Sequence, residues 1–161
     1  MPSSSSAPRR CGSGSVNLRP FFPYYGSKWR IGRKYPAPAH GAIVEPFAGS
    51  AGYSVRHYEK DVVLFDASPS IRALWSFLIE ARPADVMSLP LLSAGESLDD
   101  HRGLSDGERA LIGFWISKGS VKPRSKMPED YRWLGRRMMF WGEAARARTA
   151  CSGARSSPMK L

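Results

Sequence analysis

The chain of 161 residues lacks an apolar run that approaches the roughly 20 residues needed to cross a bilayer. Its first 15 residues are rich in Ser, Pro and Gly and have no apolar core of the kind that a signal peptide carries. Its two cysteines, Cys11 and Cys151, both lie in low-complexity ends, which argues against a structural disulfide. These absences favour a cytoplasmic protein with no membrane partner.

Motifs for metals and for phosphates are also missing. The three histidines, His40, His57 and His101, have neither metal-ligand spacing nor partner cysteines, so no metal site is predicted. The absence of a Gly-Lys-Ser/Thr sequence excludes a P-loop, and without Gly-x-Gly-x-x-Gly a cradle for a dinucleotide pyrophosphate is poorly supported.

Acidic residues are scarce. The chain has 14 Asp and Glu against 24 Lys and Arg, which gives a formal net charge of +10. Arg9, Arg10, Arg155 and Lys160 lie in the ends, so basic tails that only aid solubility explain part of the excess. The remaining excess favours a polyanionic partner, of which nucleic acid is the commonest.

Two short apolar runs, each followed by a carboxylate, organise the chain. Residues 43–52 read Ile-Val-Glu-Pro-Phe-Ala-Gly-Ser-Ala-Gly, and residues 62–66 read Val-Val-Leu-Phe-Asp. This pattern predicts a strand, a glycine-rich turn, a short crossover helix over 53–59 and a second strand, the unit of a doubly wound parallel sheet. Ligands of such sheets bind beyond the carboxyl ends of the strands, where Glu45 and Asp66 lie.

The composition divides the chain into four segments. Residues 1–17 and 149–161 are predicted to be disordered tails, because small and polar residues dominate both. Residues 18–104 are predicted to form an α/β core, which begins with an aromatic loop over residues 18–30. Residues 105–148 are predicted to form a helical basic region.

Capping residues indicate where the helices begin. Ser68 followed by Pro69 predicts a helix that ends near Arg82, because Pro83 disfavours helix at the residue before it. A capping-box pattern at Ser105 predicts a second helix, which ends near Gly119. Apolar residues at helical spacing predict a third over 129–148.

A glycine-rich turn that follows a strand, with an acid about 20 residues further on, is typical of nucleoside binding. The glycines allow the backbone to approach the ligand, and the acid accepts hydrogen bonds from ribose hydroxyls. Here the turn contains Gly49 and Gly52, and the acid is Asp66. A nucleoside ligand without phosphates, such as S-adenosylmethionine, fits this pattern.

The same residues resemble three motifs of the adenine-specific DNA methyltransferases related to the Dam methylase. Residues 45–52 resemble that family's Glu-Pro-Phe-x-Gly-x-Gly motif. Residues 24–28, Tyr-Tyr-Gly-Ser-Lys, resemble its aromatic-x-Gly-Gly-Lys motif, and residues 65–68, Phe-Asp-Ala-Ser, resemble its Asp-Ile-Asn segment. The three occur in the family's order and cover roughly residues 21–78.

The resemblance implies a partial Rossmann-like methyltransferase fold, with a parallel sheet and a helical C-terminal region. It implies that Lys28 pairs with the carboxylate of S-adenosylmethionine and that Asp66 binds its ribose. The cofactor-binding residues that it implies are Tyr24, Lys28, Glu45, Pro46, Phe47, Gly49 and Asp66. The family transfers the sulfonium methyl to the exocyclic amine of an adenine flipped from double-stranded DNA.

A basic stretch over 118–148 lies where this family keeps its DNA-recognition residues. Cations that neutralise phosphates are what such a surface needs. The predicted DNA-binding residues are Lys122, Arg124, Lys126, Arg136 and Arg137. The alternative interpretation is a solvated helix face.

Two departures from the family pattern matter. Ala51 occupies the second glycine position of the turn, with Gly52 displaced by one, which is expected to shift the backbone without abolishing the pocket. The family's catalytic Asp/Asn-Pro-Pro-Tyr/Phe motif is absent, since no two prolines are adjacent, and no catalytic residue is predicted.

The missing catalytic motif, together with the abrupt change to small and polar residues at 149–161, suggests a truncated or frame-shifted member of the family, without the later strands of its sheet. An unpaired edge and exposed apolar surface are then expected, with poor solubility or dependence on a partner. A separate polypeptide could supply the catalytic motif. The rival interpretation is a non-enzymatic basic nucleic-acid-binding protein that uses the fold as a scaffold.

Overall fold

The computed structural model describes residues 18–117, 119–129 and 159–160. Two short strands, β1 (Ala42–Glu45) and β2 (Asp61–Leu64), pair in parallel, with Ala42 opposite Asp61 and Glu45 opposite Leu64. The two apolar runs therefore form neighbouring parallel strands, as the sequence predicts. This mixture of helices with a small parallel sheet is compatible with an α/β fold.

A third strand, β3 (Met159–Lys160), pairs in parallel with the other edge of β2, which gives the sheet order β1-β2-β3. The composition of residues 149–161 predicts a disordered tail there, so this strand differs from the expectation. The backbone N–H and C=O groups along the free edge of β2 need partners, and local composition does not reveal which segment supplies them.

The crossover between β1 and β2 is shorter than predicted. A 3-10 helix, Ser54–His57, replaces the expected helix over 53–59. The turn before it is itself tightly folded, since Ala51 N–H donates to Ala48 O and Val55 N–H donates to Ala51 O. Only one helical turn then fits before β2 begins.

Helix α1 (Pro69–Glu80) begins as predicted, with Ser68 at the N-cap position and Pro69 in the first turn. It buries Ile71, Leu74 and Trp75 in the core. A second helix that the sequence analysis did not predict, α2 (Pro83–Met87), follows directly. Pro83 disfavours helix at the residue before it, which separates α1 from α2. Its fixed φ suits the first helical position, so α2 begins there.

Helix α3 (Asp106–Trp115) has the predicted capping box. Ser105 Oγ accepts from Glu108 N–H at 3.3 Å, and Glu108 Oε2 accepts from Ser105 N–H at 2.8 Å. The helix packs against α1 and ends at Trp115, earlier than the expected end near Gly119. The third predicted helix, apart from Glu129, lies outside the described residues.

Two further 3-10 helices, Ile31–Lys34 and Leu98–Asp100, complete the described elements. None of the described helices is long and apolar enough to span a membrane.

The sheet is buried on one face. Ile43, Val62 and Leu64 lie in the core on that face, together with Glu45. On the other face Val44 is 62% exposed and Val63 is half-buried. Within the described part of the chain, the sheet therefore leaves apolar surface open on this face, mainly at Val44.

Candidate functional site at the carboxyl ends of β1 and β2

The turn after β1, residues 46–52, contains two residues with left-handed backbone. Gly49 has φ 47° and Ala51 has φ 48°. This conformation costs a residue with a Cβ roughly 1–2 kcal/mol, and glycine adopts it readily. Ala51 therefore takes a backbone conformation suited to the glycine of the family motif, and its methyl group is buried in the core.

Asp66 links this turn to the end of β2 and the start of α1. Its Oδ2 accepts from Gly49 N–H at 2.9 Å, and its Oδ1 accepts from Ser68 N–H at 2.8 Å. The side chain is half-buried, and the N-terminus of α1 favours a negative charge at this place. The carboxylate that the sequence assigns to the ribose is thus held on the glycine turn.

Trp75 holds the same turn from the opposite side. Its indole Nε1–H donates to Gly49 O at 2.8 Å in a buried hydrogen bond. Both polar groups of Gly49 are therefore bound, one by Asp66 and one by Trp75. Helical spacing identifies Trp75 only as a core residue, so sequence reasoning missed this contact.

Tyr24 packs its ring directly against Gly49. A Cβ at residue 49 would lie 2.8 Å from two ring carbons of Tyr24. The ring also contacts Phe22 and Phe114, at centroid distances of 6.3 and 5.7 Å. Burial, and the negative charge of Asp66, raise the pKa of the Tyr24 phenol. Tyr24, Gly49 and Asp66 therefore form one cluster.

Lys28 binds the beginning of the turn. Its Nζ donates to Phe47 O at 3.0 Å and to Glu45 Oε1 at 3.4 Å. The other carboxylate oxygen, Glu45 Oε2, accepts from Ser54 Oγ at 2.6 Å. The structure therefore brings Lys28 to the same turn as Asp66, and Ser54 is a contributor that the sequence analysis missed.

Glu45 points into the protein, although the sequence analysis placed it in the cofactor-binding set. Glu45 is only 4% exposed, because alternation along β1 puts it on the same face as the buried Ile43. Within the described residues its carboxylate contacts Lys28 and Ser54.

The loop before Lys28 is fitted closely to the turn. Ser27, at the second glycine position of the aromatic-x-Gly-Gly-Lys motif, accepts from Ser50 Oγ at 2.7 Å. A Cβ at Gly52 would lie 2.5 Å from the backbone nitrogen of Trp29. Gly52 is thus needed for the close approach of two chain segments.

Pro46 and Phe47 form the outer side of the turn. Both are exposed, and Phe47 is 76% exposed. Single exposed apolar side chains are common on protein surfaces, so this exposure does not by itself mark a binding site. Phe47 is available to contact a ligand without any rearrangement of the core.

The predicted DNA-binding residues fall into two groups. Lys122, Arg124 and Lys126 are exposed and form no ion pair within the described residues. Their loop is anchored, since Arg124 N–H donates to Gly113 O and Leu98 N–H donates to Ser125 O. It adjoins the aromatic loop through a hydrogen bond from Tyr25 N–H to Ser120 O at 3.4 Å. Arg136 and Arg137 lie outside the described residues.

Comparisons of the chain with known protein families, with curated proteins and with solved structures found no match.

Proposed function

We propose that this chain is the S-adenosylmethionine-binding part of a Rossmann-like, adenine-specific DNA methyltransferase related to the Dam methylase. One observation supports this most directly: Lys28 and Asp66 bind the same turn, Lys28 at Phe47 O and Asp66 at Gly49 N–H. The motifs that resemble the family lie far apart along the chain, and their key residues contact one another.

Both charged groups retain hydrogen-bonding capacity for a ligand. A carboxylate has about four lone-pair positions, and Asp66 uses two of them for backbone N–H groups. An ammonium group has three N–H donors, and Lys28 uses two. Asp66 can therefore accept from ribose hydroxyls, and Lys28 can donate to the carboxylate of the methionine moiety.

In this proposal the residues of the chain bind and orient the methyl donor. When bound, S-adenosylmethionine supplies an electrophilic methyl group on its sulfonium. Tyr24 and Lys28 would flank the methionine end. Pro46, Phe47 and Gly49 would form the floor, and Asp66 would hold the ribose. No residue of the chain is assigned to adenine activation, so a partner chain that carries the Pro-Pro motif would complete the transfer to double-stranded DNA.

Calorimetry with S-adenosylmethionine tests the proposal. We expect heat of binding for the parent chain and none for Asp66→Ala. Because Asp66 also holds the turn, Phe47→Ala is the sharper variant, since its exposed side chain contributes little to the core. Loss of an aromatic contact predicts an affinity about tenfold weaker, with an unchanged free energy of unfolding.

Leu91→Ala is the matched control, because Leu91 is another exposed apolar side chain and is not part of the turn over residues 46–52. It is expected to bind S-adenosylmethionine like the parent. Absence of binding heat in a folded parent chain rejects the proposal, as does equal weakening by the two variants.

The second candidate is a non-enzymatic nucleic-acid-binding protein. Lys122, Arg124 and Lys126 favour it, because they are exposed on an anchored loop and form no ion pair with another described residue. Duplex DNA binding that weakens steeply with salt, together with no heat from S-adenosylmethionine, would support this candidate over the first.

A further inference from the structure

A second group of basic residues lies around the 3-10 helix Ile31–Lys34, in addition to those of the loop that carries Lys122. Between residues 18 and 57 the sequence has six Lys and Arg and a single acid, the buried Glu45. Arg30, Arg33 and Lys34 are exposed, and none forms an ion pair within the described residues. We call Arg30, Ile31, Arg33, Lys34, Tyr35 and Arg56 the helix 31–34 surface.

Arg56 fastens this helix to the rest of the protein. Its Nη2 and Nε donate to Trp29 O at 2.6 and 3.2 Å, and its guanidinium carbon lies 3.8 Å from the centroid of the Trp29 ring. Nε also lies 3.5 Å from the Cβ position of Gly32, at the centre of the helix. The cations next to Gly32 are therefore held on a fixed backbone.

Like charges are brought close together here. Burial beside Trp29, and the positive charge of Arg33, lower the pKa of Arg56. The ion pair that the described residues form nearby, His57 with Glu59 at 3.8 Å, does not include either arginine. Clustered cations without carboxylates repel each other, and an anion bound between them relieves that repulsion.

Aromatic and apolar side chains are interleaved with the cations. Tyr35 and Ile31 are exposed, and Tyr35 packs on Tyr53, whose ring in turn packs on His57. Tyr53 OH donates to Pro36 O at 2.8 Å and holds the end of this segment. Ordered cations beside accessible rings are typical of surfaces that bind nucleic acid.

We propose that the helix 31–34 surface binds the phosphodiester backbone of nucleic acid, as a contact separate from the loop at Lys122–Lys126. Guanidinium groups match phosphate oxygens in a two-pronged geometry, which suits Arg30 and Arg33. An anionic lipid surface is disfavoured, because the helix has only four residues and presents no broad apolar face. The proposal does not depend on binding of a methyl donor.

The test compares two variants of the full chain that lose the same charge. Arg33→Gln/Lys34→Gln removes two cations of the surface, and Arg82→Gln/Arg102→Gln removes two exposed cations elsewhere. Fluorescence anisotropy with a labelled duplex DNA, repeated over a range of salt concentrations, measures affinity. We expect the first variant to lower the salt slope by about 2 and the affinity at low salt by about tenfold or more.

The control variant is expected to keep the parent's slope within about half a unit. If both variants lose the same DNA affinity and salt slope, the effect comes from net charge alone and the proposal is overturned. An unchanged salt slope for Arg33→Gln/Lys34→Gln overturns it as well. Binding to anionic vesicles but not to DNA also overturns it. A duplex RNA of the same length identifies which nucleic acid is preferred, and calorimetry with S-adenosylmethionine on the same variants separates this result from the fate of the proposed cofactor site.

Discussion

Asp66 Oδ2 accepts the backbone N–H of Gly49 at 2.9 Å, and this side-chain hydrogen bond helps to join the end of β2 to the turn after β1. The same carboxylate receives Ser68 N–H at the start of α1. The turn after β1, the end of β2 and the start of α1 thus meet at one side chain. The residue proposed to hold a ribose is also the residue that holds the turn, so stability and binding must be measured separately.

Asp66→Asn is expected to destabilise the fold by about 1–3 kcal/mol, because one amide nitrogen then faces a backbone N–H and a charge-assisted bond is lost. Urea unfolding followed by tryptophan fluorescence measures the change. Asp61→Asn is the control, since Asp61 is an exposed carboxylate at the other end of β2. A similar loss in both variants would contradict the assigned role.

Gly49→Ala is expected to cost at least about 1–2 kcal/mol, because the backbone at residue 49 is left-handed. The added methyl group would also press on the ring of Tyr24. Gly41→Ala serves as the control, since nothing lies within 4 Å of its Cβ position. Thermal unfolding of the two variants should differ clearly, and equal midpoints would argue against the geometry of the turn.

Ser105→Ala and Ser68→Ala should behave differently although both serines occupy N-cap positions. Ser105 Oγ accepts from Glu108 N–H, whereas the Ser68 side chain makes no capping hydrogen bond. Removal of a capping hydroxyl costs about 1 kcal/mol, so Ser105→Ala should lose roughly that amount and Ser68→Ala much less. Chemical denaturation of both variants under the same conditions measures the two losses in free energy of unfolding, and equal losses would contradict the prediction.

Ionisation of Tyr24 is expected to lower the stability of the fold as the pH rises in the alkaline range. The folded protein holds the phenolic proton more tightly than the unfolded chain, because burial and Asp66 raise the pKa of Tyr24 above its ordinary value of 10.0. Its contribution is therefore fully present below about pH 10 and is lost as the pH rises through the folded-state pKa.

Free energies of unfolding, measured from about pH 9 to about pH 11, test this sign. The parent should lose more stability over that range than Tyr24→Phe does. Tyr25→Phe retains Tyr24 and should therefore lose as much as the parent. A steeper alkaline loss in Tyr24→Phe than in the parent would refute the expectation.

Local patterns predicted much of the fold. The apolar runs ending at Glu45 and Asp66 marked β1 and β2, and the capping residues at Ser68 and Ser105 marked the starts of α1 and α3. Each of these signals acts within a few residues, through backbone hydrogen bonds or the burial of one face. Such preferences are readable before any tertiary contact is known.

Long-range contacts in the candidate site were not predictable in this way. The bond from Trp75 to Gly49 O, the pairing of Glu45 with Ser54, and the stacking of Arg56 on Trp29 each join segments that approach only in the folded chain. The pairing of β3 with β2 is similar, since two residues of strand carry no periodicity to read.

The sequence by itself determined which residues can form strands, turns and helix ends, since these depend on neighbours along the chain. Tertiary structure decided which face of β1 is buried, so that Glu45 faces inward, and it directed Asp66 to the turn, although both carboxylates follow an apolar run. The physical reason is that strand alternation and packing select the face on which each carboxylate lies, and a buried carboxylate must find partners there. The Glu45 carboxylate accepts hydrogen bonds from Lys28 and Ser54. The Asp66 carboxylate accepts hydrogen bonds from two backbone N–H groups and remains partly exposed to water.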